Sequence, residues 1–371
     1  MDGRDKLTVA AAMIVRNEQH HLAACLDTLE GALDEIIVVD TGSTDGTIEL
    51  ASRASVKLLH HKWADDFAAA RNVALDAVSC DWVLYIDADE RLGLPDGGRL
   101  ADYVDPAAIA AFVRFRPKTG FTRYREWRLF RSEPSIRFVG RIHESMRPSI
   151  LAAADRHHLP IVQTRVELYH LGYDGEQAQK HARNLPLLQE AVQLTPERVY
   201  YWYHLSETLA AIGRTPEAIS AAWTGLEWGQ RKPALENRPA MSLIFQYLAR
   251  TELDAGNDAL RLIDEGLEFE PADHALAFLR GQALLRAGRA EQALDIALSL
   301  GSIDPDGLLD GVLAFDRRIF LDMACELAAL ACLRLGRRKE AAAHYSRAAA
   351  LAPDSLAYRV KAAALGACSL P

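Results

Sequence analysis

The chain has 371 residues, of which 50% are hydrophobic and 25% charged, and a formal net charge of -9. That composition belongs to a globular protein of two or three domains, and its acidity excludes a dedicated nucleic-acid binder. The 5 cysteines (Cys25, Cys80, Cys325, Cys332, Cys368) are odd in number, scattered and without a CxxC. This suits buried thiols in a reducing compartment. The start of the chain is polar and no apolar run is long enough to span a bilayer, so a cytoplasmic location is expected.

Leu7–Val15 is an apolar run that predicts a strand, and it ends in Arg16-Asn17-Glu18. His20–Leu29 carries apolar residues at helical spacing. Glu35–Val39 predicts a second strand ending in Asp40, followed by the turn Thr41–Thr47 and a helix over Ile48–Ala54. Val56–Leu59 fits a third strand, Phe67–Val78 a helix containing Arg71 and Asn72, and Val83–Ile86 a fourth strand. This alternation predicts an α/β domain with a parallel, doubly wound sheet. Ligands bind such sheets beyond the carboxyl ends of the strands, where Asp40 and Asp87 fall. Asp87 and Asp89 are two apart, so on an extended chain they share a face and can close on one hard cation, Mg²⁺ or Mn²⁺.

Four motifs occur in order: AMIVRNE, IIVVDTGSTDGT, FAAARN and DWVLYIDADE. Together they resemble the inverting glycosyltransferases of family 2, with the GT-A (Rossmann-like) fold. Within that family the chain is similar to the subgroup in which this domain is followed by tetratricopeptide repeats. The resemblance covers about residues 1–175. It implies that Asp40 binds the uracil or ribose of a nucleotide sugar, that Val15 and Asn17 frame the base, and that Arg71 approaches the nucleotide. It also implies that Asp87 and Asp89 form the DXD motif, with Asp89 the more direct metal ligand, and that Glu90 follows the subgroup's DADE variant.

The segment Ala111–Ile150 holds ten Arg or Lys against three acids, interleaved with aromatics. Phe112–Arg116 and Trp127–Arg131 alternate like strands. Aromatic faces suit sugar rings and guanidinium groups suit diphosphates or anionic acceptors. The segment closes in His143-Glu144. Inverting transfer needs a base for the acceptor hydroxyl. The subgroup resembled keeps a His-Glu pair here, where the wider family uses an aspartate. Glu144 is therefore read as the base and His143 as its orienting partner or a metal-side ligand, with roles that could be exchanged.

From about Glu176 the sequence turns helical and rich in Ala and Leu. Segments 200–229, 275–300 and 323–353 each run helix, Gly-Arg, polar step, helix, with turns at Gly213, Gly288 and Gly336. A weaker copy turns at Gly256-Asn257, and insertions at 231–240 and 302–314 break the period. This predicts an all-α domain of tetratricopeptide repeats over 176–371, available for protein contacts.

The sequence therefore reads as a metal-dependent hexosyltransferase acting from a nucleotide diphosphate sugar, a UDP-sugar by resemblance. Its acceptor would be a saccharide, a lipid-linked saccharide reached by docking at the inner membrane face, or a peptide. The alternative is a repeat scaffold whose transferase-like domain is inactive. The intact Asp40, Arg71, Asp87 and Asp89 argue against it. A nucleotidyltransferase would place a Gly-rich phosphate loop where Arg16-Asn17-Glu18 stands.

Overall fold

The structure, a computed structural model, describes residues 6–117, 120–171, 177–308 and 311–367. The expected boundary at 175/176, the start of the helical region at Glu176, and Cys368 lie outside these residues. The chain divides into two units, one of residues 1–119, 123–191 and 309–312, the other of 120–122, 192–308 and 313–371.

The first unit contains, in chain order, β1 (Val9–Val15), α1 (Leu22–Leu29), β2 (Glu35–Asp40), α2 (Thr47–Ala51), β3 (Val56–His60), α3 (Phe67–Asp76), β4 (Trp82–Tyr85), β5 (Glu90–Gly93), β6 (Ala110–Arg116), β7 (Tyr124–Arg131), α4 (Arg147–His157) and β8 (Ile161–His170). The strands form one sheet in the order β3-β2-β1-β4-β7-β6-β8-β5. β1 to β4 are mutually parallel where they pair, and β7 joins β4 antiparallel, so the sheet is mixed rather than wholly parallel. The buried residues of β1 and β2 are near-continuous because both faces are covered. Val9, Ala11 and Met13 pack with Leu22, Leu26 and Leu29 of α1 on one face. Ala12, Ile37 and Val83 pack with Ala74 of α3 and Ile150 of α4 on the other.

Three elements of this unit lie outside the sequence reading. The acidic turn after the fourth strand gives way at once to strand β5, which pairs with β8. Neither β8 nor α4 is announced by the sequence pattern. In β8 the charged and polar residues Gln163, Arg165 and Glu167 interrupt the apolar run. That strand is defined by its flanking partners β6 and β5 rather than by one apolar face.

Helix α5 (Gln177–Leu194) leads into α6 (Val199–Ala211), α7 (Thr215–Arg231), α8 (Arg238–Asp254), α9 (Leu260–Phe269), α10 (His274–Arg286), α11 (Ala290–Gly301), α12 (Asp322–Arg334), α13 (Arg338–Leu351) and α14 (Leu356–Ala367). The pairs α6/α7, α8/α9, α10/α11 and α12/α13 turn at Gly213, Gly256, Gly288 and Gly336, all with φ between 74° and 81°. In each turn the residue after glycine donates back to the helix: Arg214 to Leu209, Asn257 to Glu252, Arg289 to Leu284 and Arg337 to Cys332. This is one Schellman closure used four times, and only glycine takes its left-handed position without strain. The second unit is thus the expected all-α array of tetratricopeptide-type helix pairs. Of its early aromatics, Tyr201 is core whereas Tyr200 and Trp223 are exposed. No helix among the described residues is long and apolar enough to cross a membrane.

Small residues sit where these helices touch. A Cβ on Gly225 of α7 would lie 2.7 Å from Trp202 Cβ and 2.9 Å from Ile244 Cδ1. The Trp202 atom is one bond from the backbone and cannot swing aside. Gly225→Ala should therefore destabilise the unit by a net ~1 kcal/mol, about 1–3 of overpacking less about 1 of gained helix propensity. A urea midpoint equal to or above that of the unmodified chain would show that the α6/α7 contact is looser than described.

Candidate active site

The strand order reverses at β1: β2 and β3 lie to one side of it and β4 to the other. Such a switch point opens a crevice beyond the carboxyl ends of the strands. On the β1/β2 side, Val15 is buried and pairs in register with Asp40. Its carbonyl accepts from Thr41 N and Oγ1, both at 3.0 Å. Asn17 has a left-handed backbone, accepts from Thr44 N at 2.8 Å and donates its own N–H to Ser43 Oγ at 3.0 Å. The Asp40 carboxylate accepts from Gly42 N at 3.0 Å and Ser43 N at 3.1 Å, and His60 Nδ1 lies 3.7 Å away. These contacts pin the 41–47 loop. A carboxylate has about four acceptor sites, so Asp40 retains capacity for a ligand N–H or hydroxyl.

On the β4 side, Ile86 N still bonds to Ala12 O at 3.2 Å, and then the chain turns, with Glu90 N donating to Asp87 O at 3.0 Å. The turn corrects the expectation of an extended Asp87–Asp89 pair sharing one face. Because residues 88–89 are in a turn, the two carboxylates take different partners. Asp87 receives Arg71 Nη2 at 2.8 Å, with Arg128 at 4.0 Å. Burial opposes its charge, but Arg71 and Arg128 outweigh that effect and hold its pKa below the ordinary 3.8. Asp89 instead faces His170, at 3.6 Å between Oδ1 and Nδ1, and Leu171 N donates to the Asp89 carbonyl at 3.0 Å.

Arg71 also donates from Nε to Glu144 Oε1 at 2.5 Å. Its guanidinium lies 5.2 Å from the Tyr85 ring and 5.5 Å from the Phe138 ring. The neighbouring Asn72 exchanges two 3.0 Å hydrogen bonds with the Phe138 backbone, and Phe67 N donates to Arg141 O. Helix α3 thereby holds the loop that presents Glu144. That loop is closed by reciprocal Val139–Ser145 bonds, and Gly140 and His143 both have left-handed backbones. Arg71, Asp87 and Glu144 thus meet in one network, while Asp89 belongs to a second contact with His170 and Asp40 to the pinned loop.

Three participants escape the sequence reading. Arg128 is an arginine in an inward position of β7, a pattern visible as a cation between apolar neighbours. It binds Glu90 through both amino groups, at 2.9 and 3.2 Å, over the Tyr85 ring at 4.2 Å. Glu90 is 1% exposed and accepts from Asp87 N at 3.0 Å, so the third acid of DADE braces the turn. Glu18 lies near Asp87 and Asp89. Burial, then the charges of Asp89 and Asp87, push its pKa up to about 7. The third is His170, which comes from the unannounced strand β8.

Among the described residues no group of three or more His, Cys, Asp or Glu is placed to hold a metal ion. Asp89 and His170 nevertheless fit one. The buried Nδ1 of His170 has no hydrogen-bond partner and points a donor atom toward an acid. Mg²⁺ and its relatives commonly take one or two protein ligands and complete their shell with substrate phosphates and water.

The family model described as Glycosyl transferase family 2 matches residues 11–159. A TPR repeat-containing protein of Synechococcus elongatus is 36% identical over 259 residues, covering 67% of this chain and 64% of that protein. The SPbeta prophage-derived glycosyltransferase SunS of Bacillus subtilis is 26% identical over 228 residues, covering 58% of this chain and 52% of its own length. The chain therefore spans about half to two thirds of the length of these curated relatives. Among solved structures, YrrB, a TPR protein with an unusual peptide-binding site, matches at 19% identity and a TM-score of 0.37, covering 52% of this chain and 86% of that one.

Burial pushes the Glu90 pKa up to about 8 against the pull of Arg128, so Arg128→Met should leave a buried carboxyl without its partner and destabilise the first unit by about 3 kcal/mol or more. Adding Glu90→Gln should recover much of that loss in a double-mutant cycle of chemical denaturation; an additive pair would rule out the coupling. For Asp87, whose pKa is depressed in the folded state, the stabilisation is complete above about pH 4 and is lost as pH falls through the folded value. The stability gap between the unmodified chain and Asp87→Asn should thus narrow on acidification, and a gap that widens would reverse the assigned sign.

Proposed function

We propose that this chain, whose residues 11–159 match the model described as Glycosyl transferase family 2, is a metal-dependent, inverting glycosyltransferase moving a hexose from a nucleotide diphosphate sugar, a UDP-sugar, to a saccharide or peptide acceptor. The catalytic domain occupies about residues 1–175 and the helical domain 176–371, the latter offering a surface for protein contacts. The observation that carries the reading is the Arg71 bridge, which sets a DXD carboxylate and the Glu144 carboxylate on one guanidinium.

In this reading Val15, Asn17 and Asp40 bind the nucleoside, and Asp87 and Asp89 face the diphosphate. A bound Mg²⁺ or Mn²⁺, held by Asp89 with His170, would neutralise the diphosphate. Glu144 takes the proton of the acceptor hydroxyl as its oxygen bonds to the sugar C1. The C1–oxygen bond to the diphosphate breaks on the opposite face, and its electron pair leaves with the nucleotide. Arg71 keeps the Glu144 carboxylate in one orientation, and His143 in its left-handed backbone shapes the loop beside it. Two arms of the network, Asp87 and Glu144, are thus positioned together, so orientation contributes alongside charge.

Glu144→Gln should lower transfer by about 10²–10⁴-fold while leaving UDP affinity close to that of the unmodified chain. Asp89→Ala should weaken Mn²⁺-dependent UDP binding in calorimetry and abolish turnover from a panel of UDP- and GDP-sugars. Full transfer by Glu144→Gln would remove the base assignment, and metal-independent turnover by Asp89→Ala would remove the metal reading.

A further inference from the structure

Arg71 and Arg128 come from different elements, α3 and β7, and converge on one acid. Arg71 Nη2 lies 2.8 Å from the Asp87 carboxylate and Arg128 Nη1 4.0 Å from it. Two guanidinium groups drawn to one carboxylate repel each other. Each also has a nitrogen that no acceptor takes. Arg71 gives Nε to Glu144 and Nη2 to Asp87, and its buried Nη1 has no hydrogen-bond partner. Arg128 gives both amino groups to Glu90, and its buried Nε has none.

Besides Asp87, the two cations share one aromatic ring. The guanidinium carbon of Arg128 lies 4.2 Å from the centre of the Tyr85 ring, and that of Arg71 lies 5.2 Å from it. The negative charge on an aromatic face attracts a cation at this range, and the attraction grows when the pair is removed from water. Burial pushes the Tyr85 hydroxyl above its ordinary value, so the side chain is neutral and the ring, not a phenolate, answers the two charges.

Tyr85 reaches the Glu144 loop by a second route. Its ring meets that of Phe138 edge-on, with 5.2 Å between centroids and 85° between planes. Phe138 is the residue whose backbone Asn72 holds by two hydrogen bonds. One ring at the end of β4 therefore touches the arginine that grips Glu144, the arginine that grips Glu90, and the start of the loop that carries Glu144.

We propose that Tyr85 is a positioning residue for the Glu144 base: its ring seats Arg71 beside Arg128 and props Phe138, so that the guanidinium stays on Glu144. This rests on the glycosyltransferase reading above, in which Glu144 takes the acceptor proton. Tyr85 acts through Arg71 and not on the substrate.

The test is release of nucleoside diphosphate from UDP-glucose, UDP-N-acetylglucosamine and GDP-mannose by the full chain in MnCl₂, with water as acceptor. Tyr85→Leu should lower kcat about tenfold, the equivalent of one partly desolvated cation–π contact, and leave KM and calorimetric UDP affinity within about twofold. Tyr85→Phe, which keeps the ring, should restore most of the loss. Phenylalanine fluorinated around its ring at position 85 keeps the shape and withdraws the negative face, so its kcat should fall even where the leucine variant folds poorly. In a Glu144→Gln background Tyr85→Leu should cost nothing further, because the group it positions is gone. Unchanged kcat in the leucine and fluorinated variants, or a Tyr85→Leu loss that adds to that of Glu144→Gln, overturns the positioning role while the transferase reading stands. An unmodified chain that releases neither UDP nor GDP and binds no UDP overturns both.

Discussion

The buried guanidinium of Arg71 is the constraint on which the first unit's crevice depends. It joins residues far apart in the chain: a helix at 71, a strand end at 87 and a loop at 144. Its side chain and that of Glu144 are 11% and 10% exposed. Charges removed from water to this degree are tolerated only when paired, and removing one partner leaves the others uncompensated. The helix that supplies Arg71 is fixed at its start by Asp66, whose side chain accepts from Ala69 N at 2.8 Å. Asn72, next along, docks the backbone at Phe138. Local capping, helix position and loop position are thus linked through adjacent residues of one motif.

The acids of the 87–90 turn divide their roles because the turn sends them to different neighbours. Asp87 answers Arg71, Asp89 answers His170, and Glu90 is neutralised by Arg128 in the protein interior. Only Asp89 is left facing a histidine nitrogen that lacks a hydrogen bond. The same turn is braced by the hydrogen bond from Asp87 N to Glu90, so the geometry of the two half-buried acids depends on the buried one. A cluster that looks redundant in one dimension is specialised in three.

The second unit is held by a different kind of rule. Each helix pair closes through its own glycine, within a few residues, and then buries Ala and Leu against the next pair. Neighbour contacts of this type are short in sequence and repeat, which is why the turns at Gly213, Gly288 and Gly336 are visible as a pattern. Glycines inside helices, as at Gly225 and Gly281, follow a separate logic of close approach. They weaken the isolated helix and permit the packed one.

By itself the sequence determined the elements whose signals are local: strands β1 to β4, the glycine-closed helix pairs, and the acids at the ends of β2 and β4. Periodicity and turn chemistry act over a few residues, so one chain suffices to read them. It also carried the motif order that matches family 2. Only the tertiary structure decided that Arg71 faces two carboxylates, that Asp87 and Asp89 part company, and that Arg128 and His170 complete the surroundings. Strand β8 and helix α4 belong to this second class, because their polar residues make sense only against partners distant in sequence. Pairing energies between buried charges depend on distance and desolvation, and neither quantity is written in the spacing of residues along a chain.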